Sequence, residues 1–108
     1  MKLSGGSVTG NVYGGALTDV GATGVATGNK ITFTGVVTVV GDVYAGYTAG
    51  NGATTGNTVN LGDKTHTFTG SVTGTVHGGS NAGDVTDNTL NINTNANVGN
   101  IKNFDKLV

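Results

Sequence analysis

The stretch VTGNVY at positions 8–13 decides the fold, because the chain returns to it three more times. The related stretches are VVGDVY at 39–44, VTGTVH at 72–77 and, more weakly, NVGNIK at 97–102. The apolar residue that they share moves from Val12 to Val43, Val76 and Ile101, in steps of 31, 33 and 25 positions. Three copies continue into a pair of small residues, at 14–15, 45–46 and 78–79. A stretch that returns at this spacing predicts a fold of repeated units.

A second motif lies between the copies of the first. It reads NKITF at 29–33, NTVNL at 57–61 and NTLNI at 88–92, in steps of 28 and 31 positions. Both motifs alternate apolar and polar residues with a period of two, which indicates β-strands with one face turned inward. Two motifs that return in the same order predict strands stacked copy upon copy.

Stacking the copies would place like residues above one another in inward columns. These columns are Val8/Val39/Val72, Gly10/Gly41/Gly74, Val12/Val43/Val76, Ile31/Val59/Leu90 and Phe33/Leu61/Ile92. β-Branched and large apolar residues favour a strand face. The glycine column either leaves room for a side chain from a facing wall or marks a bend.

The connections at 16–28, 47–56 and 80–87 vary in length and are rich in Gly, Thr, Asn and Ala, as is typical of turns and loops. Regular strands with variable loops favour an all-β, single-stranded parallel β-helix, or β-solenoid. It would fill 1–108 as one segment of about three and a half repeats. The alternative is an antiparallel β-sandwich, which also uses short strands and glycine-rich turns.

The composition excludes several classes of protein. The 108 residues include 21 Gly but no Pro or Cys, so disulfides and thiol chemistry are absent and helices are disfavoured. Only 10% of the residues are charged and the net charge is −1, which gives no basic surface for nucleic acid. No apolar run is long enough to span a membrane, and residues 1–5 lack the apolar stretch of a signal peptide.

Three stretches resemble the passenger-domain repeats of bacterial autotransporter (type V secreted) proteins. They are SVTGNVYGG at 7–15, TGNTVNL at 55–61 and GNIKNFDKL at 99–107, and the resemblance extends over nearly the whole chain. It implies a right-handed parallel β-helix that is secreted or exposed on the bacterial cell surface, with a structural or adhesive role toward a host-surface protein or glycan. The chain would then be part of a longer passenger. A fainter resemblance to trimeric adhesin heads would imply a left-handed coil instead.

The outward columns are the candidate binding surfaces. Tyr13, Tyr44 and His77 occupy equivalent positions and predict an exposed stack of rings, suited to a sugar or another protein. Stabilisation of the fold by like-on-like stacking is the alternative role. Residues 30/58/89 and 32/60/91 form a partly regular array of hydroxyl and amide groups that resembles an ice-binding surface, although Lys30, Asn60 and Asn91 interrupt its regularity. Asn29, Asn57 and Asn88 predict an asparagine ladder or turn residues.

No catalytic, metal or cofactor site is predicted. The six aspartates are Asp19, Asp42, Asp63, Asp84, Asp87 and Asp105, and they fall on one strand position and on loops rather than on one cleft. No calcium-loop spacing is present, and His66 and His77 have no neighbouring cysteine or carboxylate cluster. We therefore expect a protein that is not an enzyme.

The ends of such a stack predict self-association. Solenoid repeats contact mainly their neighbours, so the terminal repeats expose open strand edges and apolar surface unless they are capped. Phe104 and Leu107 are the residues placed to cover one end.

Overall fold

The computed structural model describes residues 1–19, 23–80, 83–93 and 97–108, which contain thirteen short strands and no helix. The strands are β1 (Lys2–Leu3), β2 (Gly6–Val8), β3 (Val12–Tyr13), β4 (Ala16–Leu17), β5 (Lys30–Phe33), β6 (Val37–Val39), β7 (Val43–Tyr44), β8 (Tyr47–Thr48), β9 (Thr58–Leu61), β10 (Ser71–His77), β11 (Thr89–Ile92), β12 (Asn97–Lys102) and β13 (Lys106–Leu107). Gly, Thr, Asn and Val favour this outcome, because all four are poor helix formers. Accordingly, the described residues offer no helix that could cross a membrane.

Every strand pair in the described part of the chain is parallel. One sheet has the order β1-β5-β9-β11-β13. The second sheet has the order β2-β6-β10-β7-β3, and β12 also pairs with β10. A third sheet contains β4 and β8 alone. The chain is therefore all-β with parallel sheets. The antiparallel sandwich is wrong for the described residues, since no antiparallel pair occurs among them.

The copies of the first motif lie beside one another in the predicted register. Val12 pairs with Val43, which pairs with Val76, which pairs with Ile101. The other inward position follows the same rule, with Val8 beside Val39 and Val39 beside Val72. Even the weak fourth copy takes part, through a shift of register between Val72 and Thr75.

The second motif builds the other large sheet and extends further than predicted. Ile31, Val59 and Leu90 are in register and fully buried. β1 adds to one edge, with Leu3 beside Phe33, and β13 adds to the other, with Leu107 beside Leu90. These two-residue strands carry too little pattern to be recognised in the sequence.

The predicted inward columns supply most of the core, to which Val37, Ala45 and Phe68 add, while Val8 is only partly buried. Valines of the first motif and the apolar residues of the second form one buried cluster. Ile92 was predicted to face inward, but 46% of its surface is exposed. β13 is in register with Thr89 and Leu90 only, and the Ile92 amide donates to the Val108 carbonyl, so no described residue on that side lies in register with Ile92.

The glycine column serves neighbouring copies rather than a facing wall. A Cβ on Gly41 would meet the carbonyl oxygen of Gly10 at 2.5 Å, and one on Gly74 would meet that of Gly41 at 2.5 Å. The chain also bends here in the first two copies, which splits the motif into β2 and β3, and into β6 and β7. The predicted bend is thus present, and glycine lets adjacent backbones approach closely.

Two predicted loops contain strands. β4 and β8 lie within 16–28 and 47–56 and pair with each other, although Ala16 and Tyr47 share no residue type that would reveal the pairing. A fully buried ring also arises in the segment between β9 and β10, where Phe68 packs on Phe33 with 5.4 Å between ring centroids. Of the predicted loops, residues 20–22 and 81–82 lie outside the described residues.

Candidate functional site

Tyr13, Tyr44 and His77 form an aromatic column along β3, β7 and β10. In-register parallel pairing brings equivalent residues within ring-stacking distance. The Tyr13 and Tyr44 ring centroids are 5.2 Å apart with planes 6° from parallel. Tyr44 and His77 are 4.2 Å apart and 4° from parallel. The predicted stack of rings is therefore present.

The column is less exposed than the sequence suggested. Both tyrosines are half-buried, and His77 is only 5% exposed. Tyr47 closes one side, with its ring edge-on to Tyr13 and Tyr44 at 5.3 and 5.2 Å. Because both faces of Tyr44 are covered by its neighbours, a sugar has no ring face of Tyr44 on which to stack. The expectation of an exposed platform that includes His77 is wrong, and the geometry favours the stabilising role.

Asp42 anchors the buried end of the column. Its Oδ2 lies 3.2 Å from His77 Nε2 and accepts a long hydrogen bond of 3.5 Å from the Tyr44 hydroxyl. Its Oδ1 accepts the Thr75 amide at 2.8 Å. The Thr75 hydrogen bond lowers the pKa of the Asp42 carboxyl, although burial opposes it in part. Burial raises the pKa of the Tyr44 hydroxyl, and the nearby Asp42 carboxylate adds to that rise.

His77 retains one polar atom without a partner. Its Nδ1 is buried and has no hydrogen bond, whereas Nε2 faces Asp42. His77 therefore contacts the Tyr44 ring by stacking and the Asp42 carboxylate through Nε2.

A polar ladder runs along the positions of Asn11, Asp42 and Thr75. Asn11 Oδ1 accepts the Asp42 amide at 2.7 Å, and Asp42 Oδ1 accepts the Thr75 amide. The first and second copies thus each offer a side-chain oxygen to the backbone of the next copy. Asn100 holds the same position in the fourth copy, in register with Thr75. We call this the outer Asx ladder.

Asn29, Asn57 and Asn88 form a second, buried ladder, as predicted. Asn57 Oδ1 accepts the Asn29 amide at 2.9 Å, and Asn88 Oδ1 accepts the Asn57 amide at 2.9 Å. Asn57 Nδ2 donates to the Ala26 carbonyl at 3.1 Å. Asn57 and Asn88 are fully buried, so these bonds satisfy groups that water does not reach.

The small residues after each copy of the first motif make room for this ladder. A Cβ on Gly15 would meet the side-chain Nδ2 of Asn29 at 2.6 Å, and one on Gly46 would meet Nδ2 of Asn57 at 2.6 Å. A Cβ on Gly78 would meet Asn88 Cβ at 2.6 Å. The repeated Gly-Gly or Ala-Gly pair therefore has a packing cause.

The outward hydroxyl and amide groups bond to each other. Asn60 Nδ2 donates to Thr32 Oγ1 at 3.0 Å, and Asn91 Nδ2 donates to Asn60 Oδ1 at 2.7 Å. Groups that satisfy one another in this way are less available to order ice or a glycan. The sheet also carries exposed lysines at both ends of the neighbouring column, Lys30 and Lys106.

Three of the remaining aspartates, Asp63, Asp84 and Asp105, accept backbone amide hydrogens. Asp63 Oδ1 accepts the amides of Thr65 and His66 at 2.9 and 2.7 Å, and these bonds lower the pKa of Asp63 to about 2. Asp84 accepts the Thr86 amide at 3.0 Å, and Asp105 accepts the Asp87 amide. Among the described residues, no three His, Cys, Asp or Glu side chains converge as a metal site would require.

Sequence reasoning missed two contacts of the aromatic column, those made by Tyr47 and by Asp42. Tyr47 has no equivalent in another copy, since Ala16 is its partner, so no repeat marked it. The Asp42 contact with His77 joins residues 35 positions apart in different copies. The signal that could have found it is the shared register, which places Asp42 one copy before Thr75 and two residues before Tyr44.

Compared with known proteins, the chain matches no family model, no curated protein and no solved structure.

Proposed function

We propose that the chain is a non-catalytic segment of a right-handed β-solenoid, with a structural and adhesive role on a bacterial surface protein of the autotransporter type. In this proposal each copy of the two motifs forms one layer of a coil. The observation that carries it is the in-register series Val12, Val43, Val76 and Ile101, which repeats one inward position through four parallel strands.

The polar ladders support a structural role. They connect the first three layers through side chains, in addition to the backbone bonds of the sheets. A solenoid depends on such nearest-neighbour contacts, because each repeat touches only the adjacent repeats. Both ring faces of Tyr44 are covered by Tyr13 and His77, which also favours a stabilising role over binding.

The scattered aspartates support the absence of catalysis. Glycoside cleavage needs two carboxyl groups facing one substrate bond. Here Asp42, Asp63 and Asp84 each accept amide hydrogens at separate places in the fold. We assign the proposed adhesion to the outer surface, at its strand edges and loops.

Antibody labelling tests the proposed location. Antibodies raised against the purified chain should label intact cells of the organism that produces it. Labelling that appears only after permeabilisation would contradict a surface location.

Beads test the proposed adhesion. Beads coated with the chain should bind host cells more than beads coated with the heat-unfolded chain. Equal binding by both would contradict an adhesive role of the folded surface.

Release of sugars from a panel of polysaccharides, abolished by Asp42→Asn, would contradict the absence of catalysis.

A further inference from the structure

The positive charge of the chain is concentrated on one side of the fold. Lys2, Lys30 and Lys106 occupy exposed outward positions of the sheet β1-β5-β9-β11-β13. Lys64 is exposed in the turn after β9, beside the same face. Lys102 lies on another sheet, through β12. All five lysines are within the described residues, and four of them are thus on one side, although the net charge of the chain is −1.

These lysines lack ion-pair partners among the described residues. The ion pairs in that part of the chain join a histidine to an aspartate in each case. The charged groups of the chain ends, at Met1 and Val108, have opposite signs and cancel. Lys106 directly follows Asp105, whose carboxylate accepts the Asp87 amide, so negative charge lies near that end of the sheet. We therefore restrict the name lysine face to the outward residues Lys2, Lys30, Thr32, Asn60 and Lys64.

The register of the sheet brings two of these lysines close together. Lys2 lies beside Thr32, and Lys30 is two residues before Thr32 on the same face. With strands about 4.8 Å apart and about 3.3 Å per residue, the Cα atoms of the two lysines are about 8 Å apart. Like charges at neighbouring positions of a sheet repel each other. A bound anion would remove this repulsion, which no described carboxylate does.

The third lysine reaches the face through an inserted turn. Phe33 pairs with Leu61, and Gly35 pairs with Phe68. One residue therefore separates Phe33 from Gly35, whereas six residues, 62–67, separate Leu61 from Phe68. Repeat proteins place such insertions on one face, which is often the binding face.

The inserted turn borders a polar cavity. Asp63 Oδ1 fixes the turn by accepting two of its backbone amides at 2.9 and 2.7 Å. A cavity of about 370 Å³ lies between the turn and the ends of β9 and β11, where Asn60, Asp63 and Lys64 help to line it. Asp63 Oδ2 accepts no hydrogen bond from the described residues, so it is open to a hydroxyl donor. Cavities of this size hold small ligands such as a sugar ring.

From these observations we propose that the lysine face binds an acidic polysaccharide. The ammonium groups of Lys2, Lys30 and Lys64 would contact its carboxylate or sulfate groups through charge-assisted hydrogen bonds. The cavity beside Lys64 would hold a sugar ring, with a hydroxyl donating to Asp63 Oδ2. The proposal rests on the proposed adhesive function and narrows it to one face and one class of ligand.

The rest of the face suits a sugar chain rather than a nucleic acid. The outward positions of the described strands in this sheet carry lysine, threonine and asparagine, and no aromatic ring. Single-stranded nucleic acids bind by stacking their bases on aromatic side chains. The outward amides of Asn60 and Asn91 bond to each other, so the lysines would supply most of the attraction.

Immobilised polysaccharides test the class of ligand. Polygalacturonate supplies carboxylates, dextran sulfate supplies sulfates, and dextran is the neutral control. The unmodified chain should bind one or both acidic polymers, more weakly as salt is added, and should not bind dextran. The tighter of the two acidic polymers identifies the anionic group. Binding to neither, equal binding to dextran, or tighter binding to single-stranded DNA than to both acidic polymers would overturn the proposal.

Lysine variants test the location of the site. Lys30→Gln should weaken binding about fivefold, and Lys2→Gln/Lys30→Gln/Lys64→Gln on the order of a hundredfold at low salt. The corresponding triple change to arginine keeps the charge and should keep the binding. Lys102→Gln is the matched control, because it removes an exposed lysine from another sheet, and it should bind like the unmodified chain. Equal weakening by Lys30→Gln and Lys102→Gln would overturn the assignment to this face.

Acetylation of the unmodified chain keeps the test independent of how a variant folds. Bound polysaccharide should slow acetylation of Lys2, Lys30 and Lys64 but not of Lys102, as peptide mass spectrometry would measure. Equal protection of all four lysines, or protection of none, would overturn the lysine face.

The bead assay separates this proposal from the proposed function. Beads coated with the triple glutamine variant should bind host cells less than beads coated with the unmodified chain. Equal binding by both would overturn the lysine face and leave the adhesive function intact. Absence of cell binding by either, with polysaccharide binding retained, would overturn the adhesive function and leave the lysine face intact.

Discussion

Asn57 shows how a single residue ties copies together. It is fully buried, yet its side chain accepts from the Asn29 backbone and donates to the Ala26 carbonyl. Asparagine is suited to this position because its amide carries both an acceptor and donors. A recurrent asparagine at a strand start was visible in the sequence, but its burial depended on the small residues of the other motif.

Asn57→Ala should lower the free energy of unfolding by roughly 2–4 kcal/mol, because it leaves the Asn29 amide and the Ala26 carbonyl without partners. Asn91→Ala is the control, since Asn91 is half-buried and donates outward to Asn60. It should cost less than about 1 kcal/mol. Urea unfolding measures both. Equal losses for the two variants would contradict the role given to the buried ladder.

Asp42 and Asp63 predict the acid limit of stability. Both carboxyls have a pKa below the ordinary 3.8, because each accepts backbone amides, and that of Asp63 falls to about 2. A carboxyl with a lowered pKa stabilises the folded state above the unfolded pKa, and this stability is lost as the pH falls through the folded pKa.

The melting temperature should therefore be steady above about pH 5 and fall between roughly pH 4 and pH 2. Asp42→Asn preserves an acceptor oxygen for Thr75 but cannot titrate, so the fall should become shallower. Thermal melts followed by circular dichroism at a series of pH values measure this. An unchanged slope in Asp42→Asn would show that the lowered pKa has no bearing on stability.

At the scale of elements, the alternating strands were predictable and the short ones were not. The inward residues of β5, β6, β7, β9 and β10 follow a period of two and repeat between copies, and they are buried as predicted. β1, β4, β8 and β13 have two residues each, too few for any period to appear. Their pairing depends on the neighbouring strand that is already in place.

The glycine that follows a copy of the first motif sets how closely two elements pack. Gly46→Ala should destabilise the fold by roughly 1–3 kcal/mol, since its methyl group would press on the Ala26 carbonyl at 2.5 Å and on Asn57. Gly5→Ala, where a Cβ meets nothing within 4 Å, should stay within about 0.5 kcal/mol of the unmodified chain. Denaturant unfolding distinguishes the two, and a neutral Gly46→Ala would contradict the packing described between these elements.

At the scale of the molecule, repetition predicted the parallel register but not the surface. Like residues placed at equivalent positions favour stacking, and the pairs Val12–Val43 and Ile31–Val59 follow from that. The burial of His77 and the exposure of Ile92 depend on what lies on either side of a copy, and the repeat alone does not specify that. The candidate site was therefore found by position, while its accessibility was not.

The central claim is that successive copies lie in register, one beside the next. Ser7 and Thr38 are outward partners on β2 and β6, while Ser71 is the partner of Thr38 on β10, two copies from Ser7. Neighbouring strands are about 4.8 Å apart and strands two copies apart are about twice as far. A disulfide requires Cα atoms within about 7 Å. The chain contains no cysteine, so introduced pairs report without interference.

The most direct measurement is disulfide formation in Ser7→Cys/Thr38→Cys, compared with Ser7→Cys/Ser71→Cys, followed by intact mass and thiol titration of the monomer. The in-register arrangement predicts rapid and nearly complete intramolecular bonding in the first pair and none in the second. Bonding in the second pair in preference to the first, or in neither, would contradict it.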